Sequence, residues 1–297
     1  MPQLHKARHG LFLIHLELLW VVAIWAGTFV ATKWVLLEIP PASSALLRYV
    51  IAAGLLWLIY RRRREPVARG DYGAFGLLGL TGVTLYYLLQ HYGIRYTNAT
   101  DAAILISLSP AFIGVISWLW TRERIKSRAW LGMVLALSGT ALVIGKGQAV
   151  WQNAHQRIGG DLLILLTAVA WAVYSVGGKK LLAKYRPLTL IAVTTVIGTL
   201  LLAPFALGEL FSINYAKLTL RTWLCLLYLG GAASVYGYLA WYRGLQRLPA
   251  LTVGSYLYFR PLLTGVVAAI LLKEQVGWAA FLGGGLIIAG TYLTAQA

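Results

Sequence analysis

Acidic residues are scarce in this chain: Asp and Glu together number 9 among 297 residues, and all charged residues make up only 12%. A soluble domain carries about 25% charged residues, so this composition excludes an ordinary soluble globule. Hydrophobic residues reach 59%, and the mean hydropathy is +0.72. Long polar segments are also missing, since the longest is 146–159. We therefore predict a membrane protein without a soluble domain.

Cysteine and enzyme signatures are equally sparse. Cys225 is the single cysteine, so no disulfide can form within the chain. The sequence has no His-Glu-x-x-His, no cysteine spacing suited to a metal, no phosphate-binding loop and no nucleophile elbow. We expect no cofactor, no bound metal and no enzymatic activity.

The net charge of +17 comes from basic residues in short patches between apolar runs. This spacing argues against a nucleic-acid partner and follows the positive-inside rule, which makes the lipid bilayer the expected partner. Of the 26 basic residues, 17 fall on one side of the predicted spans and six on the other. The bias predicts a bacterial-type inner membrane protein with both termini in the cytoplasm. The apolar run 11–32 is too long for a signal peptide and reads as a retained first span.

An internal repeat determines the architecture. Residues 93–145 align without a gap on 244–296, with 13 of 53 positions identical, and a second match at an offset of 146 places Pro41 on Pro187. Apolar periodicity predicts ten helices near 11–33, 42–60, 72–94, 98–120, 127–146, 160–182, 187–208, 220–243, 249–272 and 276–295. Because each repeat holds five spans, the second repeat enters the membrane upside down.

The predicted fold class is thus an all-α integral membrane protein whose ten transmembrane helices form two inverted five-helix repeats. Residues 1–10 are a cytoplasmic tail, 11–146 the first repeat, 147–159 a loop and 160–295 the second repeat. We expect a monomer.

Ordered motifs make a family resemblance specific. The segments 25–33, 93–97 and 107–110, followed by Glu123-Arg124 and Leu131-Gly132, recur in part through Gly244, Pro261, Glu274 and Leu282-Gly283. This set resembles the EamA family of the drug/metabolite transporter superfamily. The resemblance implies ten helices and the transport or export of small metabolites, and it names no single substrate.

Arg260 is the sharpest single candidate for a binding residue. It lies near the middle of its predicted span, where an arginine is costly and usually functional. Its repeat counterpart is Ser109, so the charge belongs to one half only. One interpretation is an anchor for a substrate carboxylate or phosphate. The other is a structural arginine held by an ion pair or by carbonyls beside Pro261.

Polar and aromatic stripes on several helices predict a substrate pocket, with helix packing as the alternative. Tyr256 and Thr264 share the helix face of Arg260. The other predicted lining residues are Trp25, Thr28, Tyr86, Tyr87, Gln90, His91, Ser107, Ser109, Trp171, Tyr174, Ser175, Tyr238 and Trp241.

Other residues suggest coupling, anchoring or motion. His91, Glu17 and Asp101 are candidates for proton or ion coupling, although His91 also fits a hydrogen-bonded position beside Tyr87 and Glu17 a snorkelling side chain. Arg48 and Lys33 read as anchors or ion-pair partners near span ends.

Two prolines, Pro110 and Pro261, interrupt their spans and are predicted hinges. Glycines in the last helix of each half predict close helix contact.

These features together predict a secondary transporter that exports small metabolites such as amino acids by alternating access. A flippase or exchanger for a phosphate-bearing substrate, such as a lipid-linked or nucleotide sugar, remains the main alternative. A non-transporting membrane scaffold is the alternative from another class. A central pocket closed to lipid favours a metabolite, a groove open sideways favours a lipid, and an apolar packed centre favours a scaffold.

Overall fold

The computed structural model describes residues 2–63, 65–96, 105–122, 126–144, 154–260, 263 and 278–295, and all regular secondary structure in these residues is helical. The α-helices are α1 (Pro2–Leu36), α2 (Pro41–Tyr60), α3 (Tyr72–Gly79), α4 (Tyr86–Tyr96), α5 (Ser109–Thr121), α6 (Ser127–Ile144), α7 (Ala154–Leu181), α8 (Pro187–Leu210), α9 (Leu220–Leu227), α10 (Gly237–Arg247), α11 (Ala250–Ser255) and α12 (Trp278–Ala295). Two π-helical segments, Leu80–Leu85 and Tyr228–Tyr236, join α3 to α4 and α9 to α10.

Six apolar helical stretches in the described part of the chain are long enough to cross a membrane. They are Leu11–Leu36, Pro41–Tyr60, Arg69–Gly93, Ile158–Leu181, Pro187–Leu210 and Leu220–Arg247, which correspond to the first three predicted helices of each repeat. Both α1 and α7 begin earlier than predicted, at Pro2 and Ala154, within the segments expected to be a tail and a loop. Hydropathy marks only the part of a helix that lies in hydrocarbon, so it misses such extensions.

The starts of α2 and α8 follow directly from the sequence. Each begins at a proline, Pro41 and Pro187. Proline suits a first helical turn because its missing N–H would have no partner there and its φ angle is already helical. The predicted starts of these two helices are confirmed to within one residue.

The two halves pack through equivalent contacts. Gly244 of α10 faces Leu18 of α1, and Gly93 of α4 faces Ile164 of α7; a Cβ at either glycine would come within 2.9 Å of the facing side chain. Leu18 and Ile164 are themselves equivalent at the repeat offset of 146. The first helix of each repeat therefore packs against the third helix of the other, as expected for a pseudo-two-fold relation between the repeats.

Helices α2 and α8 are antiparallel and cap each other. The Glu65 carboxylate accepts from the backbone N–H of Arg186 at 3.0 Å and from the Thr189 hydroxyl at 2.6 Å. At the other end of the pair, the Glu209 carboxylate accepts from the backbone N–H of Ser43 at 2.9 Å. The segment after α2 and the last turn of α8 thus each supply a negative charge to the positive N-terminal end of the neighbouring helix.

Helices α6 and α12 make the predicted close glycine contact. A Cβ on Gly132 would lie 2.6 Å from the Gly290 carbonyl oxygen, and one on Gly139 would lie 2.5 Å from that of Gly283. The paired numbers run in opposite directions, so these two helices are antiparallel. The prediction of close approach is confirmed at Gly132, Gly139 and Gly290, whereas a Cβ on Gly285 would meet nothing within 4 Å.

The predicted helices 98–120 and 249–272 are not continuous where the structure describes them. The chain makes a turn at 107–108 before α5 begins, and a 3₁₀ segment, Tyr256–Tyr258, follows α11. The two π-helical segments likewise interrupt the predicted helices 72–94 and 220–243 at equivalent places. Hydropathy does not distinguish these helix types, because it measures side chains and not backbone hydrogen bonding.

Candidate functional site

Aromatic side chains from both halves meet in one buried cluster. Trp171 of α7 is its centre, since its ring lies 5.4–5.7 Å from those of five neighbours. We define the aromatic cluster as Trp25, Tyr86, Tyr87, Trp171, Tyr174, Tyr238 and Trp241, all no more than 8% exposed. The rings touch edge-on or tilted, which is the favourable geometry for aromatic pairs. Predicted stripes on four separate helices therefore meet in one cluster.

Hydrogen bonds, one of them between the halves, fix two of the indole rings. The Nε1 of Trp25 donates to the carbonyl oxygen of Ala233, which belongs to the second π-helical segment, at 3.0 Å. Trp241 Nε1 donates to Ser175 Oγ at 3.2 Å. These bonds position the two rings, and Ser175, a predicted lining residue, orients Trp241.

Phenol hydroxyls form a short chain on one side of the cluster. Tyr49 of α2 donates to the Tyr238 hydroxyl at 3.0 Å, and the Tyr87 and Tyr238 hydroxyl oxygens are 3.3 Å apart. Tyr49 was not among the predicted site residues. Its position just after Arg48 in an apolar helix was the available signal.

Arg48 lies inside the protein and is not the anchor at a span end that we predicted. Its side chain is 6% exposed, its Nε donates to Ser234 Oγ at 2.9 Å, and its guanidinium carbon lies 4.7 Å from the centre of the Tyr87 ring. The sequence places Arg48 along α2 but does not show which face of the helix is buried. Its location within a span is the sequence feature that indicates an inward-facing side chain.

Gln90 and His91 border the cluster on α4. Gln90 Nε2 donates to the Tyr86 hydroxyl at 3.4 Å. His91 Nδ1 lies 3.1 Å from the carbonyl oxygen of Pro41, so that nitrogen carries the proton, and its ring is 5.8 Å from that of Tyr87. This geometry matches the hydrogen-bonded interpretation of His91.

Arg260 reaches the cluster from the second half. Its Nη2 donates to the Thr28 hydroxyl at 3.4 Å, and that hydroxyl in turn donates to the Trp25 carbonyl at 2.6 Å. Arg260 also lies close enough to Tyr86 for its charge to act on the phenol. Four of the predicted lining residues are therefore neighbours, namely Arg260, Thr28, Trp25 and Tyr86.

The remaining predicted residues have different surroundings. Tyr256 is hydrogen-bonded to His15 Nδ1 of α1, 2.5 Å away. Ser107 is buried in the turn before α5, and Ser109 donates to the carbonyl of Ile106 at 2.6 Å. That carbonyl lies four residues before Pro110, which has no N–H to offer it, so Ser109 has a backbone-supporting contact. Thr264 and Pro261 lie outside the described residues.

The coupling candidates are also partly defined. Glu17 of α1 forms an ion pair with Arg243 of α10. Its side chain therefore contacts a neighbouring helix, in place of the predicted alternative in which it reaches toward the membrane surface. Asp101 lies outside the described residues, as does the side chain of Lys33. In the described part of the chain, no group of three or more His, Cys, Asp or Glu side chains is placed to hold a metal ion.

Comparison with known proteins identifies the family. The model of the EamA-like transporter family matches residues 12–145 and 158–296, one match for each repeat. An uncharacterized transporter of Archaeoglobus fulgidus is 35% identical over 282 residues, which cover 94% of this chain and 96% of the relative. A probable terminal-alkyne amino-acid exporter of Streptantibioticus cattleyicolor is 29% identical, over 92% of this chain and 90% of the relative.

A solved crystal structure has the same fold. It superposes with a TM-score of 0.77 at 20% sequence identity, with 96% of each chain covered, and at that identity the likeness concerns the fold alone. Both repeats match the family, and the relatives are named as transporters. This chain belongs to the EamA-like transporter family and is a multi-pass membrane transporter.

Proposed function

We propose that this protein exports a small carboxylated metabolite, such as an amino acid, and that the aromatic cluster with Arg260 holds the solute. The observation that carries the proposal is the position of Arg260. A guanidinium from one half lies beside Thr28 of the other half and next to a cluster built from both. Arginine binds carboxylates through paired hydrogen bonds, while aromatic rings accept the apolar part of a solute.

Burial of the cluster favours a water-soluble metabolite over a lipid-linked substrate. Its residues are shielded from the lipid-facing surface, where large apolar side chains such as Trp20, Leu200 and Phe205 are exposed. Two arginines and several hydroxyls beside the rings also argue against a non-transporting scaffold, whose centre would be apolar. The amino-acid exporter among the relatives supports a carboxylated substrate.

The repeat symmetry supports alternating access as the mechanism. The rings now touch one another, so a solute has to separate them as it binds, and rocking of one half against the other would open each side in turn. We infer an inner-membrane location and cytoplasmic termini from the basic-residue bias, and we propose that the protein is a monomer. Reporter fusions after Lys126 and Ala297 should read cytoplasmic, and those near Asn98 and Asn153 external. An external C-terminus would contradict the inverted-repeat arrangement.

Transport by purified protein in liposomes tests the substrate class. Labelled amino acids, organic acids and cationic drugs are compared with and without a pH gradient, which also tests proton coupling. Arg260→Ala should lower carboxylate transport about tenfold or more, because a charged hydrogen-bond donor is lost. Arg260→Lys should recover only part, because an ammonium lacks the bidentate fork.

Arg221→Ala is the matched control. Arg221 packs 5.4 Å from the Trp34 ring near the start of α9, away from the cluster. We expect that variant to transport normally. Normal transport by Arg260→Ala, with its melting temperature unchanged, would refute the proposal that Arg260 binds the carboxylate of the solute.

A further inference from the structure

Arg48 brings a second guanidinium to the aromatic cluster. It belongs to α2 in the first half, whereas Arg260 belongs to the second half. By the repeat offsets, their counterparts are Thr194 and Ser109, which carry no charge. Each half therefore contributes one arginine that the other half lacks, and the pair is not a by-product of the duplication.

Arg48 has limited charge compensation among the residues that the structure describes. Among the described residues no carboxylate pairs with it, since the ion pairs found there are Asp71 with Lys184 and Glu17 with Arg243. Its hydrogen bond to Ser234 uses one of five N–H donors, and its contact with the Tyr87 ring supplies a weak attraction. A buried, permanently charged group in this setting is stabilised by an anion.

The two arginines approach neighbouring rings of the cluster. The rings of Tyr86 and Tyr87 are 4.9 Å apart. Arg48 lies against Tyr87, and Arg260 lies beside Tyr86 and Thr28. Two positive charges beside one buried cluster repel each other, and an anionic group at each guanidinium would lower that repulsion.

We propose that Arg48 is a second anion-binding residue and that the preferred solute carries two anionic groups, as in a dicarboxylic acid or an acidic amino acid. One carboxylate binds Arg260 and the other binds Arg48, with the carbon chain between them against the rings of Tyr86 and Tyr87. The hydrogen bond to Ser234 holds the Arg48 fork in place. This inference rests on the proposed export of carboxylated solutes and narrows it to one class.

Pairs of probes that differ by one carboxylate test the inference in proteoliposomes. Glutamate is compared with glutamine, and succinate with its monoamide, because each pair has nearly the same size. For the wild-type protein we expect the diacid of each pair to be preferred about tenfold or more in kcat/KM. Equal or inverted preference in the wild type would overturn the inference without any variant.

Substitution of Arg48 separates a binding role from a structural one. Arg48→Gln should abolish the preference between paired probes while transport of the monoacids persists, and Arg48→Lys should retain part of the preference. An equal loss for both members of each pair would make Arg48 a structural residue and refute the proposal. Melting temperatures of the same preparations, with Arg221→Ala as control, show whether each variant is folded.

The two proposals fail in different ways. Transport of no carboxylated probe at all would refute the proposed function and this inference with it. Transport of monoacids that depends on Arg260, without any diacid preference, would refute the second anion site alone.

Discussion

Trp25 donates a 3.0 Å hydrogen bond from its indole nitrogen to the carbonyl oxygen of Ala233, across the boundary between the two halves. The repeat counterpart of Trp25 is Trp171, whose buried indole nitrogen has no acceptor in the described structure. The counterpart of Ala233 is Gly82, in the other π-helical segment. One half thus makes a bond that the other half does not, although both possess the donor.

This asymmetry predicts different costs for two equal substitutions. Trp25→Phe and Trp171→Phe remove the same atoms from the same cluster, but only the first breaks a hydrogen bond. We expect Trp25→Phe to be less stable than Trp171→Phe by about 1 kcal/mol. Thermal unfolding in detergent measures the difference. A lower melting temperature for Trp171→Phe would show that ring packing outweighs the hydrogen bond.

Close packing of α6 against α12 predicts that Gly290 tolerates no side chain. A Cβ there would lie 2.5 Å from the backbone nitrogen of Ala136, whereas one on Gly285 of the same helix would meet nothing within 4 Å. Gly290→Ala should cost about 1–3 kcal/mol through overpacking. Gly285→Ala should be neutral or stabilising by up to about 1 kcal/mol, because alanine favours the helix. Equal unfolding temperatures for the two variants would contradict the packing argument.

The break before α5 predicts a kinetic role for Pro110. Pro110→Ala supplies the missing N–H to the Ile106 carbonyl and lets the helix continue through the turn at 107–108. If this break is a hinge, the transport rate should fall more than the substrate affinity does. Pro204→Ala is the control, because Pro204 is an exposed proline inside α8 and far along the chain from that break. Unchanged rates in both variants would make Pro110 a packing feature.

The Glu38 carboxylate, which lies outside the membrane spans and joins the two halves, predicts that the stability of the fold depends on pH. Glu38 accepts from the backbone N–H of Thr219 at 2.9 Å and from its hydroxyl at 2.7 Å. These bonds lower the pKa of the Glu38 carboxyl below its ordinary value of 4.5, the backbone bond most strongly. Because the folded state favours the charged form, the contribution to stability is complete above about pH 4.5 and is lost as the pH falls through the lowered pKa.

Unfolding temperatures of the wild type and Glu38→Gln, measured from neutral pH down to about pH 3.5, check this dependence. The wild type should be more stable near neutral pH, and the two curves should converge on acidification. A constant difference over the whole range would exclude the titration of Glu38 as its cause.

Features set by local pattern were predictable from the sequence, and features set by packing were not. The repeat, the proline starts of α2 and α8 and the glycine contacts of α6 with α12 depend on spacing and residue size. The aromatic stripes also met as one cluster, because residues a helical turn apart share a face. The inward direction of Arg48, the π-helical segments and the ion pair of Glu17 with Arg243 depend on neighbours that are distant in the chain.

The mutual capping of α2 and α8 also has a consequence during synthesis. Ser43 and the Glu209 carboxylate that accepts its N–H are 166 residues apart, and Arg186 follows its cap, Glu65, by 121 residues. At about 5–20 residues per second, a ribosome needs roughly 8–30 s to reach Glu209 after it has made Ser43. Throughout that interval the backbone N–H of Ser43 lacks its carboxylate partner. Pairing of α2 with α8 is thus delayed until translation of the second repeat is well advanced. A ribosome that stalled in between would leave the N-terminus of α2 without the Glu209 carboxylate.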